Sequence, residues 1–175
     1  MSKLVDTLLL LALPASGKSE VRKYLDGLSP DQCRDEFHSG HTVQLDDFPY
    51  VHLMRRIDDE AVKAGASRLF FKAGDRPFQD PIDWGTLIQL VNEDYEVLNT
   101  CKAPPMPEDP AEHLFQRVDA ARQRCGGEPC LSTLDADVRG KMAAALADEA
   151  REMVQEQHDN IPESLEGKTI VIEFA

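Results

Sequence analysis

Hydrophobic and polar positions along this chain follow two periods, one suited to strands and one to helices. Residues Val5 to Ala12 form an apolar run bounded by Asp6 and Pro14, short enough for a buried parallel strand. A loop with Pro14 and Gly17 follows. From Lys18 the spacing turns helical, with Val21, Tyr24, Leu25 and Leu28 on one side and Gly27 near the expected stop. Ser29 and Pro30 predict a second, short helix that ends near Ser39-Gly40, with Ser29 as cap and Pro30 at the first helical position. His41 to Leu45 reads as another strand and ends in Asp46-Asp47.

Beyond it the period is mostly helical. Pro49 opens a helix that runs to about Gly65, with Val51, Met54, Ile57, Ala61 and Val62 able to share a face. An irregular passage between Arg68 and Asp83 carries Phe70, Phe71 and Phe78, which together with Trp84 are assigned to the core. A helix from about Trp84 to Leu98 follows, and then the connector Ala103 to Pro110, too rich in proline to be helical. Helices over about 111–124 and 133–157 flank the Gly126-Gly127 turn, the second with an apolar stripe at Val138, Met142, Leu146, Ala150 and Met153. Lys168 to Ala175 closes as a β-branched strand with Glu173 near its end. The expected fold is α/β: a parallel sheet with strands near 5–12, 41–45 and 168–174, in a single domain over 1–175 that contains a helical insertion over 49–160.

Composition narrows the partners. A chain of 175 residues can bury roughly 70% of its unfolded surface, enough for a real core. Its net charge of -13 repels polyanions, which argues against a nucleic-acid partner or an anionic membrane surface. The run Leu8 to Leu13 is too short to span a bilayer, and Gly17-Lys18-Ser19-Glu20 stands where a leader peptide would need small residues for cleavage, so a cytoplasmic location is expected. Cys33, Cys101, Cys125 and Cys130 are too few and too irregular for a disulfide framework, and no histidine pair completes a zinc site beside Cys125 and Cys130.

The chemistry concentrates in Ala12-Leu13-Pro14-Ala15-Ser16-Gly17-Lys18-Ser19, an A-x-x-x-x-G-K-S segment set between a strand and a helix. In that context Pro14, Ala15, Ser16, Gly17, Lys18 and Ser19 form a phosphate-binding loop whose backbone N–H groups surround phosphate oxygens at a helix N-terminus. Lys18 would reach the β- and γ-phosphates of a nucleoside triphosphate, and Ser19 would coordinate Mg2+. Gly17 stands where a side chain would collide with phosphate or where φ is positive. Ala12 replaces the first glycine of the pattern, at a strand exit where only a small side chain is required. No N/TKxD-like guanine-reading pattern occurs, which favours ATP.

The segment Val43-Gln44-Leu45-Asp46-Asp47-Phe48-Pro49-Tyr50 resembles the x-D-D-F-Y element of P-loop small-molecule kinases such as the uridine kinase, glycerate kinase and phosphoribulokinase families, with Pro49 inserted between Phe48 and Tyr50. The resemblance covers the first fifty residues or so and, more loosely, the last eight. It implies a P-loop NTPase fold and assigns the proton-accepting role at the attacking hydroxyl to Asp46. It also implies two further strands and a lid, which the 175 residues lack, so either the chain is a truncated form or another subunit covers an exposed sheet edge.

Asp47 and Glu173 are further candidates for Mg2+, and Asp47 is also expected to cap the helix at Pro49, leaving Asp46 free to face the nucleotide. His52, Arg55 and Arg56, with Lys72 and Arg76 behind them, are candidates to hold an acceptor, against the plainer reading of surface charges paired with Asp58, Asp59 and Glu60. The expected function is an ATP-dependent kinase acting on a small hydroxylated metabolite. The alternatives are an ATPase or switch, and a non-catalytic nucleotide-binding remnant.

Overall fold

The computed structural model describes residues 4–11 and 17–174. Within them three parallel strands and six helices follow the order β1 (Thr7–Leu10), α1 (Lys18–Asp26), α2 (Pro30–Phe37), β2 (His41–Asp46), α3 (Phe48–Lys63), α4 (Ile82–Thr100), α5 (Pro110–Arg124), α6 (Ala136–Asp159) and β3 (Lys168–Glu173). The architecture is α/β with a small sheet. Its strand order is β1-β3-β2, so the strand that comes last in sequence lies in the middle and pairs with both others. The register sets Leu10 and Asp46 on either side of Glu173, at the carboxyl ends of the strands.

Local chemistry explains most element boundaries. Ser29 and Gln32 form a reciprocal capping box at α2, with Pro30 inside the first turn. The expected strand over 5–12 is shorter, because Val5 makes only an isolated bridge to Ser39, and Ala12 lies outside the described residues. Gly40 is fixed by space: a Cβ there would stand 2.0 Å from the carbonyl oxygen of Gly167, where the ends of β2 and β3 meet.

The pleat of β3 divides the sheet's two faces. Val171 faces Leu25, Leu28 and Cys33 in a small cluster under α1 and α2, while Ile172 packs against the larger core between α3 and α6. That larger core follows helical spacing: Tyr50, Leu53, Met54, Ile57 and Ala61 on α3; Leu114, Phe115 and Val118 on α5; Met142, Leu146 and Ala150 on α6. Phe70, Phe71 and Phe78 are buried as expected, whereas Trp84 is 48% exposed and meets Phe78 edge to face. The α6 stripe ends on Val154, which is buried, with Met153 only partly so.

Two aspartates tie irregular segments to the helices before them. Asp58 accepts the backbone N–H groups of Leu69, Phe70 and Phe71 at 2.6–3.0 Å. Asp119 does the same for Cys130, Leu131 and Ser132 at 2.7–2.9 Å. No helix among the described residues is long and apolar enough to cross a membrane.

Candidate functional site

The candidate phosphate-binding residues Pro14, Ala15 and Ser16 lie outside the described residues, which resume at Gly17. Gly17 is the N-cap of α1 with φ 89° and ψ 13°, a left-handed conformation that favours glycine. Nothing among the described residues lies within 4 Å of where its Cβ would stand, so backbone conformation rather than crowding selects glycine here. The N-cap supplies no side-chain hydrogen bond to α1, and the first-turn N–H groups of a helix have no intrahelical acceptor. Lys18, 9% exposed, and Ser19 begin that turn.

Glu173 reaches this turn from the central strand. Ser19 Oγ donates to Glu173 Oε1 at 2.8 Å, across 154 residues of sequence. Glu173 Oε2 is buried and accepts no hydrogen bond among the described residues; Arg22 Nε stands 3.4 Å from it, in ion-pair but not hydrogen-bond geometry. The same guanidinium donates through Nη1 to Asp46 Oδ2. Arg22 therefore bridges the carboxylates that end β2 and β3, beside Ser19.

The capping contact expected of Asp47 is made by Asp46 instead. Asp46 Oδ1 accepts the N–H of Phe48 at 3.0 Å and so steadies the start of α3. Asp47, 2% exposed, makes no side-chain cap although it is the N-cap residue. Its φ of -87° and ψ of -8° are already helical, unlike the extended backbone from which an N-cap side chain normally reaches the first turn. No group of three His, Cys, Asp or Glu side chains among the described residues converges as a metal cluster, so Asp47 does not complete one with Asp46 and Glu173.

Asp46 also lines a cavity of about 480 Å³ enclosed by the end of β2, α4, the 104–107 proline segment, α5 and α6. Its apolar wall includes Leu45, Val97, Met106, Met153 and Ile161. On its polar side Arg117 bonds Glu93 and Asp94, each at 2.9 Å. The buried Tyr50 hydroxyl donates to Asp94 Oδ2 at 2.5 Å and accepts from Gln157 Nε2 at 2.8 Å. Burial raises the Asp94 carboxyl above the ordinary range, with Arg117 and Tyr50 opposing it. Burial, helped by Arg117, lowers the His113 imidazole below its usual value, so His113 is neutral at pH 7.

The residues expected to hold an acceptor lie elsewhere. His52 Nε2 and Arg56 Nε both meet Glu149 of α6, at 2.6 and 3.0 Å, and Arg56 also pairs with Glu60. Arg55 donates to the Gly74 carbonyl and lies over the Phe71 ring at 4.1 Å. None of the three lines the cavity, and neither do Lys72 or Arg76.

Two features of the site escaped the sequence reading. Arg22 carried a usable signal, since it stands three residues after Ser19 and so shares its helical face. The Tyr50, Asp94, Arg117 and Gln157 network carried none, because its members come from four different helices. No protein-family model matches this chain, and neither any curated protein nor any solved structure does.

Proposed function

We propose that this chain is a P-loop phosphotransferase that moves the γ-phosphoryl group of ATP to the hydroxyl of a small molecule. The observation that carries the reading is the meeting of Ser19, in the Gly17-Lys18-Ser19 turn, with Glu173 on the central strand, and with Asp46 one strand away at the edge of a cavity. Ligands of open parallel sheets bind outside the carboxyl ends of the strands, where these groups stand. The turn at the start of α1 supplies N–H groups and the positive end of the helix to phosphate oxygens, and Lys18 supplies a full charge.

The donor set suits Mg2+. A serine hydroxyl and a carboxylate with an unsatisfied buried oxygen are hard oxygen ligands, and Mg2+ takes few such protein ligands and keeps several waters. Ser19 and Glu173 would hold the ion, which supplies charge neutralisation at the phosphates. Arg22 places one positive charge between the carboxylates, so an ion held by Ser19 and Glu173 would share them with the guanidinium.

In the transfer, the acceptor oxygen forms a bond to the γ-phosphorus while the bond from that phosphorus to the β,γ-bridging oxygen breaks. The electron pair of that bond leaves on ADP. The hydroxyl proton passes to an Asp46 carboxylate oxygen and from there to water, a modest demand in a reaction governed by positioning. Asp46 can serve because it faces both the α1 turn, through Arg22, and the cavity.

ATP turnover by the purified chain, with and without a pool of small metabolites, tests the reading. Stimulation by the pool that falls by about a hundredfold or more in Asp46→Asn is expected, on the scale of a lost general base. Acceptor-independent hydrolysis assigns the chain to the ATPases instead. Nucleotide affinity unchanged in Lys18→Ala removes the phosphate site altogether.

A further inference from the structure

The charge balance of the cavity beside Asp46 narrows the kind of molecule that fits it. Its acidic lining consists of Asp46, Glu93, Asp94, Glu96 and Glu156, and Arg117 is the one permanent cation among the described residues that line it. That cation is committed to Glu93 and Asp94. Glu93 and Asp46 have outside partners in Arg124 and Arg22. Glu96 and Glu156 are solvent-exposed and have no ion-pair partner among the described residues. The two lining histidines do not reverse this balance, since His113 is neutral and His158 pairs with Asp159.

A second observation points the same way. Gln44 lines the cavity and donates through Nε2 to Thr42 Oγ1 at 2.7 Å, while its buried Oε1 has no hydrogen-bond partner among the described residues. A buried acceptor left unmatched favours a ligand that brings a donor. An anionic ligand would find no uncommitted permanent cation among the described residues that line the cavity. The volume is that of a small-molecule site, and its wall of Leu45, Val97, Met106, Met153 and Ile161 suits a hydrocarbon body.

We propose that this cavity holds the acceptor and that the acceptor is a cationic, apolar-bodied alcohol, with its hydroxyl at Asp46 and its ammonium at the acidic rim formed by Glu96 and Glu156. The word acceptor rests on the phosphotransferase reading; the selectivity for charge does not. Three linear alcohols of equal chain length that differ only at the far end separate the two: aminooctanol, octanediol and hydroxyoctanoate.

Calorimetric titration of the full chain without nucleotide should show aminooctanol binding about tenfold more tightly than octanediol, and hydroxyoctanoate more weakly than either, on the scale of two partly screened charge contacts. The double variant Glu96→Gln, Glu156→Gln should bring aminooctanol to parity with octanediol while leaving octanediol unchanged, which also reports that the variant is folded. Binding of hydroxyoctanoate as tight as that of aminooctanol, no binding of any probe, or an amine preference that survives the double variant overturns the proposal. ATP consumption with each bound probe is measured separately. An amine preference without transfer to any of the three removes the phosphotransferase reading, and the acceptor role with it, and leaves the charge selectivity standing.

Discussion

The carboxyl of Asp83 shows how burial sets a single group's behaviour. It is fully buried near the start of α4, and desolvation pushes it up from 3.8 to about 6, although Arg122 donates to it at 2.6 Å. A folded-state value above the unfolded one means that the native chain holds the proton more tightly. The stabilisation is then complete below about pH 4 and is lost as pH rises through about 6. Asp83→Asn removes this dependence. Compared with the native sequence, the variant should gain on the order of 2 kcal/mol in unfolding free energy between pH 4 and pH 7, as read from urea midpoints. A stability difference that stays constant over that range would falsify the assignment. At this scale the sequence was readable where one residue's chemistry suffices, as at Gly17 with its positive φ. It was not readable where two neighbours compete: Asp46 and Asp47 are chemically alike, and only the backbone at the end of β2 decides that Asp46 takes the N–H of Phe48.

Among the elements, all six helices were legible in the sequence, α2 from the cap and proline at Ser29 and Pro30 rather than from apolar spacing, and that signal fixed its start closely. Helix ends moved by a few residues where the pattern had no cap to mark them, as at α4, which starts at Ile82 behind Pro81 rather than at Trp84. Less legible were the ties between elements. Asp58 and Asp119 look like ordinary surface acids on α3 and α5, yet each gathers three backbone N–H groups from the segment that follows. At Asp119 burial opposes ionisation, but the N–H groups of Leu131, Ser132 and Cys130 outweigh it and hold the carboxyl below its usual range. Asp119→Ala leaves those donors unmatched and should cost about 3 kcal/mol, with 130–132 released toward exchange with solvent. Chemical denaturation with amide exchange checks this. Loss of under 1 kcal/mol would show that water satisfies the donors instead.

Across the whole molecule, the larger core belongs to the helices between β2 and β3, and the sheet stands on it with a minor cluster of its own. The sequence pattern showed that three strands exist but not their order, because each apolar run is compatible with any neighbour. That order has a temporal consequence. Strands β1 and β2 make no ladder with each other; each pairs only with β3, which is synthesised after both. The sheet is thus built from contacts of very long sequence separation, of the kind that form slowly. The helices, held by nearer contacts, are free to form first. In refolding, fluorescence of the single Trp84 should reach its native value before amides of Leu8 to Leu10 and Val43 to Leu45 become protected. Simultaneous protection would contradict this order. Ser19 meets Glu173 only when β3 is seated, so a folding intermediate with formed helices and an unseated β3 lacks that contact, and the proposed phosphate site should mature with the sheet rather than with the helical body.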